Sequence, residues 1–334
     1  MTEGSQRIIQ LFGGLALFLY GMQQMDSALQ QAAGQHLRQF LQRLVRSPLR
    51  GVFAGIIVTA LIQSSSAVTV MLVGLVSAGL MELRQAIPVI FGANIGTTVT
   101  AQLLSFDLGQ LRYLVLFVGL FLCFFSKEGR LHTMGESLFG FGLLFEGIQV
   151  MSQSMQPLAA HPVLAHRVQQ VAQNPWLGLL AGLCMTLTVQ SSSATIAILQ
   201  DLASRSGPDG MYSLLGLQGA LPVLLGDNIG TTITAILASL GGSRNAKRLA
   251  AAHTIFNISG SVAAMFFLPE FTAAVQWFSP KGAEIAIISR QIANAHTLFN
   301  LFCAAAWLPF TAQMEHIVCW LIPDKKRYPP NRSV

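Results

Sequence analysis

Gln63-Ser64-Ser65-Ser66-Ala67 returns further along the chain as Gln190-Ser191-Ser192-Ser193-Ala194. Each copy lies inside a stretch free of Asp, Glu, Lys and Arg, residues 51–80 and 176–200. Each is followed by a second shared phrase, Gly92-Ala93-Asn94-Ile95-Gly96-Thr97-Thr98 and Gly226-Asp227-Asn228-Ile229-Gly230-Thr231-Thr232. Polar side chains are costly in apolar surroundings, and where membrane chains keep them they mark substrate or ion paths. Two polar phrases, each present twice and in the same order, point to an internally duplicated membrane transporter.

The duplication extends outward from these phrases. Ser47-Pro48 and Asn174-Pro175 precede their glutamines at one common spacing, and Thr59 and Thr186 at a shorter common spacing. Pro88-Val89 and Pro222-Val223 each lead into the asparagine phrase. The offset between the copies is constant up to the glutamines and longer at the asparagines, so an insertion around Arg205–Gly210 separates the two phrases of the second half. Residues 29–45 place Leu29, Leu37, Phe40, Leu41, Leu44 and Val45 near one helical face, the pattern of an interfacial amphipathic helix, and 155–171 carry a weaker version. A third, local echo is Ala252-His253-Thr254-Ile255-Phe256-Asn257 against Ala295-His296-Thr297-Leu298-Phe299-Asn300.

The 334 residues are 52% hydrophobic and only 10% charged, with mean hydropathy +0.56. Soluble domains carry about 25% charged residues, and a bilayer crossing needs roughly 20 apolar residues. Residues 85–106, 249–269 and 291–314 are further charge-free stretches, and 8–25 and 113–126 are shorter ones. The chain therefore reads as polytopic. Its net charge of +6 clusters at Arg38, Arg43, Arg46 and Arg50, at Lys127 and Arg130, at Arg244, Lys247 and Arg248, and at Lys325-Lys326-Arg327. In short links between apolar segments that clustering sets topology and gives no reason to expect nucleic acid. Cys123, Cys184, Cys303 and Cys319 follow no CxxC spacing and read as small core residues. The first apolar run lacks a clear cleavage site, so no removable signal peptide is expected.

If 51–80 and 176–202 turn back at their serines, each half has three crossings and the halves are inverted. Seven crossings are then expected at 8–25, 85–106, 112–126, 133–151, 213–240, 249–269 and 287–312. All four basic clusters fall on one side, and the links 152–175 and 270–283 on the other. The positive-inside rule favours this arrangement, with a cytoplasmic C-terminus. The expected class is an all-α membrane protein of two inverted repeats, each with a re-entrant helical hairpin bearing Gln-Ser-Ser-Ser. The expected division is 1–130, 131–270, a final transmembrane segment 271–322 and a tail 323–334.

A re-entrant turn exposes backbone groups that are tolerated only beside protein or a water-filled cavity. Three serines at the turn supply hydroxyls, and the following helix supplies free N–H groups and the positive end of its dipole, which suits an anion. Neither phrase contains Lys or Arg. An anion bound there calls for a co-bound cation, and hydroxyl, amide and carbonyl oxygens are the hard ligands an alkali ion accepts. Gln63, Asn94, Thr97 and Thr98 offer such oxygens, as do Gln190, Asn228, Thr231 and Thr232, while Asp227 is the one carboxylate in either phrase. His253 and His296 match no zinc spacing and read as buried neutral rings, each bridging helices with Asn257 or Asn300. No GxSxG, HExxH or P-loop supports an enzyme or an ATP-driven pump.

The duplicated Gln-Ser-Ser-Ser signatures, each followed by Gly-x-Asn-Ile-Gly-Thr-Thr, resemble the type II sodium–phosphate cotransporter family over roughly residues 8–310. The resemblance implies sodium-driven symport of inorganic phosphate across a bacterial inner membrane by alternating access. It implies that Ser64, Ser65, Ser66, Ser191, Ser192 and Ser193 cradle phosphate. Thr59, Gln63, Asn94, Gln190 and Asn228 would help to hold sodium, with Thr186 the counterpart of Thr59. Sodium is the coupling ion and no other cofactor is expected. Some bacterial relatives carry a soluble C-terminal domain, so regulation through one is expected to be absent here or supplied in trans. The same oxygen chemistry suits sulfate, arsenate or a carboxylate, so another anion on this scaffold is the second reading, and an ion channel the third.

Overall fold

A computed structural model describes residues 3–44, 47–106, 108–126, 128–159, 162–207 and 212–324. Of residues 3–4, 33–44, 155–159, 162–165 and 167 it gives the helical backbone alone. The described chain is almost entirely helical, with a single β-bridge between Ser206 and Ser213. The chain begins with α1 (Glu3–Leu44), α2 (Pro48–Ile62), α3 (Ser65–Ser77), α4 (Leu83–Leu104), α5 (Leu111–Phe125) and α6 (Arg130–Ala159). Then follow α7 (Pro162–Gln173), α8 (Pro175–Val189), α9 (Ser192–Ala203), α10 (Gly216–Gly230) and α11 (Thr232–Ser239). The chain closes with α12 (Arg244–Phe266), α13 (Leu268–Phe278), α14 (Glu284–Trp307) and α15 (Thr311–Leu321).

The repeated phrases build matching units. Ser47 and Asn174 cap α2 and α8 with side-chain oxygens, and Pro48 and Pro175 open those helices where no N–H is needed. Both helices have 15 residues, about 22 Å at 1.5 Å per residue, which is short of the roughly 30 Å of a bilayer core. Each then packs backbone to backbone against the helix bearing the asparagine phrase. A Cβ at Gly92 would overlap the Val52 carbonyl, and one at Gly226 the Leu179 carbonyl. Gly55 meets the Val89 carbonyl as Gly182 meets that of Val223, and Gly96 touches Thr59 as Gly230 touches Thr186. These contacts advance together along both members, ending with Gln63 on Thr100. α2 and α4 are therefore parallel, as are α8 and α10. Small residues at such crossings allow the close approach.

α1 crosses α6 antiparallel on glycines, Gly14 against Gly147 and Gly21 against Gly140. α5 lies antiparallel on the other side of α6, Gly119 against Phe139 and Gly135 against Cys123. Within α5 only Gly119 is buried, and Phe117, Phe121, Phe124 and Phe125 are all exposed, as suits an outer wall facing lipid. The main core is formed where α4, α10, α12 and α14 meet; Phe91 and Phe256 stack there with ring centroids 4.8 Å apart.

Every expected crossing overlaps a helix, but the fifth is split at Thr231 between α10 and α11, the sixth runs past Phe266 into α13, and the seventh runs past Trp307 through a 3-10 turn (Leu308–Phe310) to the start of α15. Ser5–Ala32, Leu83–Leu104, Gly216–Ser239 and Arg244–Phe266 are long and apolar enough to cross a membrane. The stretch 29–45 differs from expectation: α1 runs through it to Leu44 without a break. Of the four cysteines only Cys303 is buried; Cys123 and Cys319 are half-buried and Cys184 is exposed, so the expectation of four core residues holds in full for Cys303 alone. α13 and α15 occupy segments for which no separate helix is expected. Val45, Arg46, Lys127, Pro208–Gly210 and Lys325–Arg327 lie outside the described residues, as do the side chains of Leu37–Leu44 and of Met155, Leu158 and Leu164.

Candidate functional site: two serine turns on one cavity

Each Gln-Ser-Ser-Ser phrase is a helix break of one design. Gln63 ends α2 at φ 60°, and Gln190 ends α8 at φ 56°. They are the only non-glycine residues with positive φ among those described. A left-handed conformation costs such residues of order 1–3 kcal/mol, and retained strain of this kind clusters at functional sites. The next residue caps the following helix: the Ala67 N–H donates to Ser64 Oγ at 3.2 Å, and the Ala194 N–H to Ser191 Oγ at 3.3 Å. Ser65 and Ser192 are therefore the first helical residues of α3 and α9. Their N–H groups stand ahead of any intrahelical bond, at the positive end of the helix dipole.

The two breaks face one another. A cavity of about 250 Å³ is lined by Gln63 and Ser64–Ser66 from one, by Gln190 and Ser191–Ser193 from the other, and by Thr97 of α4. Its remaining wall is α1, through Met22, Gln23, Asp26, Ser27 and Gln30. Gln63 is fixed, its Oε1 accepting from Thr100 Oγ1 at 2.8 Å. Gln190 is exposed. Ser191 Oγ lies 3.8 Å from Met22 Sδ, and Thr234 Oγ1 of α11 reaches Ser66 Oγ of the other half at 3.5 Å.

The other candidate residues lie behind the turns. Thr186 donates to Asp227 Oδ1 at 2.6 Å and stands 3.0 Å from Thr195 Oγ1, with Asp227 fully buried. Asp227 Oδ2 and the hydroxyls of Thr59 and Thr69 are buried with no hydrogen-bond partner among the described residues. Thr98 and Thr232 bond back to the Ile95 and Ile229 carbonyls, and Thr231 to that of Asn228. Asn94 and Asn228 each donate to their own helix, at Ile90 and Leu224. Their carbonyl oxygens turn outward, Asn94 Oδ1 to His253 Nε2 at 3.4 Å and Asn228 Oδ1 to Asn300 Nδ2 at 3.3 Å. The two His-Asn echoes thus bridge helices through different members, since neither ring nitrogen of His296 has a partner among the described residues.

Several lining residues escape the sequence reading. The stripe on α1 straddles the end of the charge-free run at 25, although its spacing at 23, 26, 27 and 30 is one helical face. Thr100 and Thr234 occupy matching places in the two halves, a signal present in the repeat itself. A second cavity of about 330 Å³ touches neither serine turn; it is lined from the ends of α4, α6 and α9 and the starts of α5 and α14. Ion pairs stand beside it, Arg112 to Glu146 at 2.8 Å and Arg205 to Asp201. No group of three His, Cys, Asp or Glu side chains comes together among the described residues.

Helices able to span a bilayer, built as two like units around a polar cavity, define a duplicated transmembrane protein of the transporter type. The chain belongs to the Na+/Pi-cotransporter family, whose profile matches it twice, at residues 17–153 and 146–279. It is 33% identical over 270 residues to the uncharacterized protein YqeW of Bacillus subtilis, across 81% of this chain and 85% of that one. It is 26% identical over 280 residues to YjbB of Escherichia coli, provisionally named an inorganic phosphate export protein; the match covers 84% of this chain and 50% of YjbB, so this chain spans about half of that relative. A 100-residue stretch is 41% identical to the human sodium-dependent phosphate transport protein 2B, covering 29% of this chain and 14% of that protein. No solved structure matches.

Proposed function

We propose that this protein carries inorganic phosphate across a bacterial inner membrane, coupled to sodium, by alternating access. The observation that carries the reading is the meeting of the two serine turns, one from each half of the duplicated sequence, on one cavity. Six serine side chains and the N-terminal N–H groups of α3 and α9 form an anion cradle there. Gln63, Gln190 and Thr97 supply neutral oxygens for sodium at the cavity. Thr59, Asn94, Thr98, Thr186, Asp227, Asn228, Thr231 and Thr232 supply further oxygens behind it. Sodium orders the turns and offsets the anion's charge, so phosphate binds well only when sodium is present.

We read the halves, 1–130 and 131–270, as inverted repeats with re-entrant hairpins. Three kinds of contact support this. Parallel packing of α2 with α4 requires the chain to reverse at Gln63-Ser64 as well as after Ser77, and α8 with α10 repeats the pattern. The end of α3 touches the start of α12, with Ser243 N donating to Ser77 Oγ at 2.9 Å. The end of α9 touches the start of α14, with Gln200 Nε2 donating to the Ser289 carbonyl at 3.1 Å. Arg248 bonds Asp324 at 3.0 Å, so Asp324 lies beside the basic link 244–248, and we read that side as cytoplasmic by the positive-inside rule.

The deciding experiment is labelled phosphate uptake into proteoliposomes with and without an inward sodium gradient. Uphill uptake that needs sodium is expected; downhill flux alone makes the protein a channel. Competition by sulfate, arsenate and carboxylates tests the anion. Ser65→Ala and Ser192→Ala are expected to weaken uptake, and normal rates in both single variants overturn the cradle. Topology is tested with single cysteines in a cysteine-free background. Those at 38–46 and 244–248 are expected to resist an impermeant thiol reagent on whole cells, and one at 155–165 to react. Net export is the second reading of direction, favoured by the match to YjbB over most of this chain; efflux from phosphate-loaded cells tests it.

A further inference from the structure

The cavity has a third wall, and it carries a charge. Asp26 of α1 is the one charged side chain among the lining residues, and its Oδ1 is buried with no hydrogen-bond partner among the described residues. Gln23, Ser27 and Gln30 share its face of the helix, so α1 presents a carboxylate flanked by amide and hydroxyl oxygens to the two serine turns. That face is held in place from behind, because Gly21 and Gly14 seat α1 directly on the α6 backbone.

A carboxylate beside an anion cradle would repel the anion unless a cation stood between them. No Lys or Arg lines the cavity to take that place. Oxygens alone are on offer, the ligand set of a hard cation. We propose that Asp26 is a sodium ligand, and that α1 completes a cation site which neither Gln-Ser-Ser-Ser repeat can form alone. The cation then lies between the Asp26 carboxylate and the serine hydroxyls, and shares its charge with the bound anion. The two repeats supply the anion's cradle, and the helix outside the repeated phrases supplies the carboxylate that lines the cavity itself. This rests on the reading of the cavity as a sodium–phosphate site, and it adds a residue and an element to that site.

The test is equilibrium binding of radioactive sodium to the purified protein, run beside phosphate uptake in proteoliposomes. Asp26→Asn keeps the shape and removes the charge; it is expected to weaken sodium binding at least tenfold, with Asp26→Glu restoring part of the loss. Elution of each variant as a single species in detergent checks folding, and Asp26→Ser serves as the neutral variant if Asp26→Asn does not fold. Wild-type sodium affinity in a folded neutral variant overturns the proposal, including the case in which Asp26 carries a proton in place of sodium. Weakened sodium binding in the variant, with no phosphate uptake by the wild-type protein, upholds the Asp26 site and removes the phosphate reading instead.

Discussion

Thr186 donates its hydroxyl to Asp227 across the α8–α10 seam at 2.6 Å; in the first half Ala93 stands in the place of Asp227, and the Thr59 hydroxyl has no partner among the described residues. The frame is duplicated and the charge is not. Thr186→Val is therefore expected to cost about 1–2 kcal/mol, because it strips a buried carboxylate of its donor. Thr59→Val, which removes an unpaired hydroxyl, is expected to be neutral or slightly stabilising. Thermal unfolding of both in detergent checks this; equal losses would show that the asymmetry has no energetic weight.

Asp227→Asn keeps the size of the side chain and removes its charge. One oxygen is held by Thr186 and the other is unpartnered among the described residues, and the proposed function makes this carboxylate a sodium ligand. The variant is expected to need more sodium for half-maximal uptake, or to move a different number of sodium ions per phosphate. Unchanged values for both would make Asp227 a structural element of the seam.

Gln63 sits in a backbone conformation that glycine adopts freely. Gln63→Gly is expected to be about 1 kcal/mol more stable than Gln63→Ala, which keeps the strain and loses the side chain. Both are expected to lose sodium-dependent uptake. Full transport by Gln63→Gly would mean that the amide has no part in the site.

Gly226→Ala drives a methyl group into the Leu179 carbonyl and is expected to cost about 1–3 kcal/mol or more. Gly74→Ala, in α3 with open space around it, is expected to gain about 0.5–1 kcal/mol. A melting-temperature series on these two variants reads the contrast.

The sequence reading reached furthest where the repeat carried the signal. The near-constant offset between the two copies picked out both turns, and every expected crossing overlaps a helix, though the last three run across helix breaks. A scan for apolar runs stopped at residue 25, just short of Asp26, because a charge reads as the end of a crossing when its surroundings are unknown. The split between residues on the cavity, such as Thr97, and those behind it, such as Asn94, depends on how α4 is rotated about its axis. Neighbours in space set that rotation, and spacing along one helix does not report it. Likewise the stretch 29–45 looks like a separate interfacial helix by its pattern. Yet no proline enters it and no glycine stands between Gly21 and Gly34, and α1 continues past both.

The glycine seams leave little freedom to the helix pairs they join. With backbones in contact at Val52 and Gly92, and at Leu179 and Gly226, neither pair can slide without first being prised apart. Close-packed surfaces yield by rotating as whole bodies. Between the halves the serine-turn helices meet through single side-chain hydrogen bonds, Ser77 with Ser243, Ser66 with Thr234 and Gln200 with the Ala101 carbonyl. Each helix that follows a serine turn leans on the opposite half, α3 through Ser66 and Ser77 and α9 through Gln200, which donates to the Ala101 carbonyl at 3.1 Å, like two people braced back to back. Neither can shift its footing without the other following.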